Sequence, residues 1–168
     1  MSNYATYEDK LVAAIADSAD LHEFTGDVED GNGKVTKWGN VFALHGYRAD
    51  GKKRPGKSIN ETVQNVTAKN SGLALVIFGR GGEPIDGNKL QGSVSHLVEL
   101  YIDPVRYLKR PNVRNLTELE EAVLRFLHGL IIPPATHCME GLKVKRWYEV
   151  GHDEMYATRI EIEKPFGF

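Results

Sequence analysis

The chain has 168 residues, with 21 basic and 23 acidic side chains and one cysteine, Cys138. That length suits one domain burying about 70% of its unfolded surface, and is too short for two comfortable ones. The charge balance excludes a molecule drawn as a whole to nucleic acid or an anionic membrane, and the lone cysteine excludes an intramolecular disulfide framework or a cysteine-built zinc site.

No apolar run reaches the roughly 18 residues of a spanning helix, and Met1 to Asp9 has neither the basic nor the apolar part of a signal peptide. The expectation is a soluble protein made in a reducing cytoplasm. The sequons at Asn60, Asn65 and Asn115 then carry no glycosylation meaning.

In chain order, Thr6 and Asp9 resemble a capping box, and Tyr7, Leu11, Ala14, Ile15 and Ser18 follow at helical spacing, predicting a helix over 7–18. The stretch 20–34 is polar and bears glycine, and reads as a loop. Val35 to Tyr47 alternates loosely and predicts a strand broken at Gly39-Asn40. A basic loop over 48–57 follows. Ser58 and Glu61 make a second capping box ahead of Ile59, Val63 and Val66, so a short helix is expected.

Leu73 to Phe78 is an unbroken apolar run of strand length, and Val94, His96, Val98, Leu100 and Ile102 alternate with more polar residues. These predict one strand covered on both faces and one with a single dominant apolar face. Between them Gly79 to Gly92 holds five glycines and a proline, and reads as a long open loop. Asp103-Pro104 stops the second strand. Thr117 with Glu120 forms a third capping box, and Leu116, Leu119, Val123, Phe126, Leu127 and Leu130 predict a long helix stopped by Gly129. Leu142 to Val150 and Met155 to Glu163 predict a closing hairpin turned at Gly151-His152-Asp153. The order predicts an α+β fold in one domain over 1–168: a mainly antiparallel sheet with two long helices and one short helix packed on it, and loops at 20–34, 48–57 and 79–92.

Gly51-Lys52-Lys53-Arg54-Pro55-Gly56-Lys57-Ser58 fits the phosphate-loop pattern, in which backbone N–H groups cradle phosphates, the lysine reaches the outer ones and the hydroxyl holds magnesium. A helix is expected after it, at Ser58. The polar His45 to Asp50 stands where a buried parallel strand belongs, no apolar strand ends in a magnesium-supporting Asp, and the chain lacks strand-helix alternation. A solvated basic loop or a partner contact fits this stretch better than a nucleotide. Gly79-Arg80-Gly81-Gly82-Glu83 runs into Pro84 to Asn88 instead of a helix, so the dinucleotide fingerprint fails there. That loop, with Arg80, Glu83 and Asp86, is expected to meet protein.

His137-Cys138 reads as a packed thiol with its neighbour, not a nucleophilic pair. His96 reads as a core histidine, and His22, His45, His128 and His152 lack metal spacing. Glu161 and Glu163 share a strand face with Arg159 and read as its solvated side. Aromatics do not interleave with the basic loops as a single-strand binding platform needs. No catalytic, cofactor or metal residue is assigned.

The amphipathic first helix, the strand Leu73 to Phe78, the glycine loop, the strand Ser93 to Asp103, the helix Leu116 to Leu130 and the closing strand Tyr156 to Glu163 together resemble the tail terminator, or tail completion, proteins of long-tailed bacteriophages. The resemblance spans roughly residues 5 to 163 and lies in element order and strand character, without a diagnostic motif. Lys52 to Lys57 has no counterpart in it. It implies a non-enzymatic virion protein of the tail or neck, without cofactor, made in the host cytoplasm. Such a protein forms a homo-oligomeric ring, commonly a hexamer, that caps the tail tube protein and joins the head-tail connector protein.

Residues 1 to 30 hold eight acidic side chains and only Lys10, whereas 34 to 57 hold seven basic ones and only Asp50. That split motivates the hypothesis that these regions are opposing subunit surfaces, with Lys52, Lys53, Arg54 and Lys57 as contact residues. Two other classes remain: a small P-loop nucleotide-binding enzyme using Gly51 to Ser58, and a nucleic-acid-binding module using Lys52 to Lys57 and Arg106 to Arg114.

Overall fold

A computed structural model describes residues 3–25, 27–29, 35–37, 40–43, 59–69, 72–85, 88–132, 141–152 and 154–167. Helix α1 (Asn3–Asp17) leads through a 3-10 turn (Ala19–Leu21) and the short α2 (His22–Thr25) to a two-stranded ribbon, β1 (Asp27–Glu29) and β2 (Val35–Lys37). Then come β3 (Val41–Ala43), α3 (Ile59–Lys69), β4 (Leu73–Ile85), β5 (Asn88–Ile102), α4 (Pro104–Tyr107), α5 (Leu116–Leu127), β6 (Lys143–Val150) and β7 (Tyr156–Gly167). The main sheet has the order β3-β4-β5-β7-β6; β3 lies parallel to β4 and every other pair is antiparallel. The fold is α+β on a mixed, mostly antiparallel sheet.

The two sheet faces are covered differently. Val98, Leu100 and Ile102 of β5 turn to one face, where they join Leu75 and Ile77 of β4 and Ile160 and Ile162 of β7 under Leu11 and Ile15 of α1 and Leu119, Val123 and Leu127 of α5. Each fully buried side chain of this kind contributes about 1.5 to 3 kcal/mol as an upper bound. Helix α1 lies over β3 and β4, and α5 over β6 and β7. The other face holds Phe42, Ala74, Val76, Tyr101 and Ala157 with Val63 and Val66 of α3. Helix α3 packs mainly on β4 and β5, and beyond Ala157, Val150 and Met155 the β7–β6 part of that face carries long polar side chains.

Several expectations change. The three main helices have 15, 11 and 12 residues, so the division into two long helices and one short one is matched only in part. Thr6 lies inside α1 instead of capping it. Asn115, not Thr117, caps α5: its side chain accepts from Glu118 N, and the Glu118 carboxylate accepts from Asn115 N. That places the box two residues earlier, on the stronger cap residue. The stretch 20–34 contains the end of the 3-10 turn, α2 and β1, and Asp103-Pro104, which ends the second strand as expected, also starts α4, with Asp103 as its N-cap and Pro104 as its first residue. The loop at 48–57 lies outside the described residues.

The largest correction concerns 79–92. Instead of an open loop, β4 and β5 stay paired from Leu73↔Ile102 out to Ile85↔Asn88, with register shifts at Gly79/Gly81 and Pro84/Ile85. Strand β7 runs beside β5 as far as Gln91↔Gly167, making a three-stranded arm. Glycine weakens a strand without forbidding it, and Pro84 is tolerated because β3 pairs β4 only at Leu75 to Ile77, so its missing donor breaks no ladder there among the described residues. Asp86-Gly87, between the two strands, is a favoured two-residue hairpin dipeptide and was the signal available.

Candidate interaction surface

Lys52, Lys53, Arg54, Lys57 and Asp86 lie outside the described residues. Arg80 sits at the register shift of β4, and Glu83 pairs with Ser93 in the arm. His137 and Cys138 also lie outside. Among the described residues no group of three His, Cys, Asp or Glu side chains could hold a metal ion.

The surroundings of Gly51 to Ser58 differ from expectation. Strand β3 is fully buried and runs parallel to β4, and α3 begins at Ile59, directly after Ser58. The elements that flank Gly51 to Ser58 in sequence thus form a parallel strand–helix–strand unit, the topology a phosphate loop needs. The strand ends at Ala43, well short of Gly51, and β4 contains no Asp.

His96 is buried beneath α1, with Nε2 3.6 Å from Glu8 Oε1. A protonated ring would pair with Glu8, but burial, aided by the Lys164 charge, wins and lowers its pKa from 6.5 to about 4. Protons therefore favour the unfolded chain between those values. His96 contributes its full stability above pH 6.5 and loses it as pH falls toward 4. Urea melts should show wild type losing about 3 kcal/mol more than His96→Leu between pH 7 and pH 4. Parallel curves for the two proteins would refute this.

The acidic N-terminal segment finds cations within its own chain. Glu23 of α2 is fully buried as a side chain, and its Oε1 takes Arg114 Nε at 2.9 Å. The Arg110 guanidinium donates to the Glu23 carbonyl at 3.4 Å, and Arg114 donates to the Asp20 carbonyl. Tyr107, wholly buried, donates to the Arg114 carbonyl at 2.7 Å. Burial and the Glu23 charge hold its phenol above the ordinary range, so it stays protonated as a donor. Part of the charge attributed to subunit surfaces thus pins α2 to the segment after α4. Arg110 and Arg114 are correspondingly engaged in the fold.

On the half of the sheet that α3 leaves open, a polar ladder crosses three strands. Tyr101 donates to Glu99, whose other oxygen takes Arg159 Nη2 at 2.7 Å; Arg159 also bonds Tyr148. Desolvation first, then the Glu99 hydrogen bond, push the Tyr101 phenol above its usual range. Farther out, Arg146 of β6 holds Glu161 and lies 5.3 Å over the Tyr148 ring, while Lys145 holds Glu163 at 3.4 Å. Arg159, Glu161 and Glu163 do share one face, as the alternation predicts, and the last two serve as anchors for the edge strand.

That edge strand, β6, is the most open part of the described fold. Among the described residues its one neighbour is β7, and Lys143 and Lys145 to Glu149 are exposed. Trp147 is 53% exposed and Tyr148 37%. Sequence alternation marked β6 as a strand but gave no sign that it ends the sheet. Comparison with family models and with curated proteins finds no match.

Proposed function

We propose that this chain is an assembly protein of the phage tail-terminator kind, which forms a ring, commonly of six copies, on the end of a tail tube and offers the surface that joins the head. The observation that supports this most is the three-stranded arm of β4, β5 and β7, which carries sheet out to Ile85 and Gly167. Unpaired strand edges and a long hairpin suit contact with neighbouring subunits. The chemistry of the described side chains is that of anchored ion pairs and packed tyrosines, which build a surface. Helix α1, the central strands, α5 and the closing strand β7 occur in the order on which the resemblance rests, with paired strand in place of its glycine loop. Virion location, the tail tube protein and the connector protein as partners belong to the same proposal, as does the absence of enzymatic activity.

Mass photometry with negative-stain imaging of the purified chain should give rings near six times the 18.7 kDa chain mass. A strictly monomeric species at micromolar concentration would overturn the proposal. The parallel β3–α3–β4 unit around Gly51 to Ser58 favours one second reading, nucleotide binding. It expects ATP or GTP with magnesium to raise the melting temperature and Lys57→Ala to remove the rise. An unchanged melting temperature at millimolar nucleotide eliminates it.

A further inference from the structure

We infer that Pro84 and Pro165 close the two outer edges of the three-stranded arm, so that the arms of two copies cannot join by a shared strand ladder. Beyond the body both edges lie unpaired among the described residues: β3 accompanies β4 only as far as Ile77, and β6 accompanies β7 only as far as Glu163. Before Lys143 the chain leaves the sheet, since Leu142 bonds Gly129 and Leu130 past the end of α5. Strands β4 and β7 are each antiparallel to β5 and therefore run the same way. The β7 edge of one copy would thus fit the β4 edge of a second, a head-to-tail contact that propagates from copy to copy.

The ladder fixes where each backbone N–H points. Facing residues of an antiparallel pair either exchange both bonds or turn both groups away, in alternation. Asp103 N donates to the Gly72 carbonyl at 2.8 Å, so the odd residues of β5 bond toward β4 and its even residues toward β7. Strand β5 keeps one register with β7 from Ile102↔Tyr156 to Gln91↔Gly167, so this alternation runs the length of the arm. Gly92 turns toward Phe166 and away from its β4 partner, Pro84, while Ser93 turns toward β4 and away from Pro165. Each proline therefore stands in a pair without bonds to β5, its nitrogen on the outer edge, and the two flank β5 at one level. A strand docking there finds no N–H to bond. On β7, Lys164 and Phe166 bond toward β5, which leaves Gly167 as the one outward donor from Lys164 to Gly167. On β4 the N–H groups of Gly79 and Gly82 point outward, but the register shift at Gly79/Gly81 breaks the flat edge between them.

This holds whether or not the chain forms a ring, and a ring contact through the arm is then one of packing, not a shared ladder. The test restores each N–H without adding apolar surface. Pro84→Thr, Pro165→Thr and the double variant of the full chain are compared with wild type by sedimentation velocity, mass photometry and amide exchange, with melting temperature as the folding control. Each single variant opens one edge, which can pair with its own copy about a two-fold. It should associate about tenfold more tightly than wild type, the worth of two restored hydrogen bonds. The double variant opens both edges and should grow from copy to copy into larger species, with the arm amides protected. A folded double variant with the size distribution of wild type overturns the inference, as do wild-type Gly82 and Gly167 amides that exchange slowly. Wild-type rings whose arm edges exchange freely, with growth on substitution, support both readings. A monomeric wild type with the same growth removes the ring alone, and rings with slow Gly82 and Gly167 amides remove the closed edges alone.

Discussion

Arg114→Met is expected to destabilise the fold by about 3 to 5 kcal/mol, among the largest effects of any polar substitution in the described residues. The Arg114 side chain is three-quarters buried and its Nε lies 2.9 Å from the wholly buried Glu23 carboxylate. Removing the cation strands a charge where water does not reach it. Arg110 cannot replace it, since its guanidinium is committed to the Glu23 carbonyl, and His22 Nε2 stands 3.4 Å away on the exposed side. The double variant Glu23→Leu/Arg114→Met removes both charges and should recover most of the loss, because a buried pair offsets its own desolvation far better than a lone carboxylate does. Urea unfolding of the three proteins checks this. If the double variant is as unstable as the single one, the loss comes from packing of the arginine stem or from Arg114's bond to the Asp20 carbonyl, not from the stranded charge.

How far such features could be read from the sequence depended on the kind of signal. Strands β4 and β5 were visible where apolar residues dominate, Leu73 to Phe78 and Val94 to Ile102, since period and burial coincide there. They became invisible between Gly79 and Gly92, where the same strands continue through residues whose sequence carries no periodic pattern. The end of α5 at Gly129 was legible because a left-handed residue is a local requirement, met with φ +86. The partnership of Glu23 with Arg114 was not, because their separation of 91 positions leaves no local trace. Opposite charge in segments 1–30 and 106–114 is the sole hint, whereas the sequence sets the acidic segment against 34–57 and reads Arg106 to Arg114 only as a candidate nucleic-acid contact. The direction of β3 was not legible for a related reason: the broken alternation of Val35 to Tyr47 marks a strand there, but that Val41 to Ala43 runs parallel to β4 is set by the crossover through α3. The exposure of Trp147 depends on β6 being last in the order β3-β4-β5-β7-β6, a fact of topology that no alternation within the strand encodes.

Gly72→Ala should be among the most damaging single-methyl changes in the described fold. Gly72 has φ +76, and a Cβ there would stand 2.7 Å from Tyr107 N, 2.9 Å from Arg106 Cβ and 2.9 Å from the Asp103 carbonyl oxygen. Two of these neighbours are backbone atoms held in place, because Asp103 caps α4 and Tyr107 N donates to the Asp103 carbonyl at 2.9 Å. Gly72 is also tied on both sides, its N–H to Thr67 of α3 at 3.1 Å and its carbonyl to Asp103 N at 2.8 Å. It is the joint where α3 ends, β4 begins and β5 turns into α4. The left-handed conformation costs an alanine about 1 to 3 kcal/mol, and relieving the contacts about 1 to 3 more. Gly129→Ala provides the control. Its φ is +86, yet nothing lies within 4 Å of the added carbon, so only the conformational cost applies, at the lower end of about 1 to 3 kcal/mol. Thermal melts of the two variants should therefore separate widely, with Gly72→Ala much the less stable. Equal losses would mean that α4 gives way easily, and that Gly72 is chosen for its backbone angle alone.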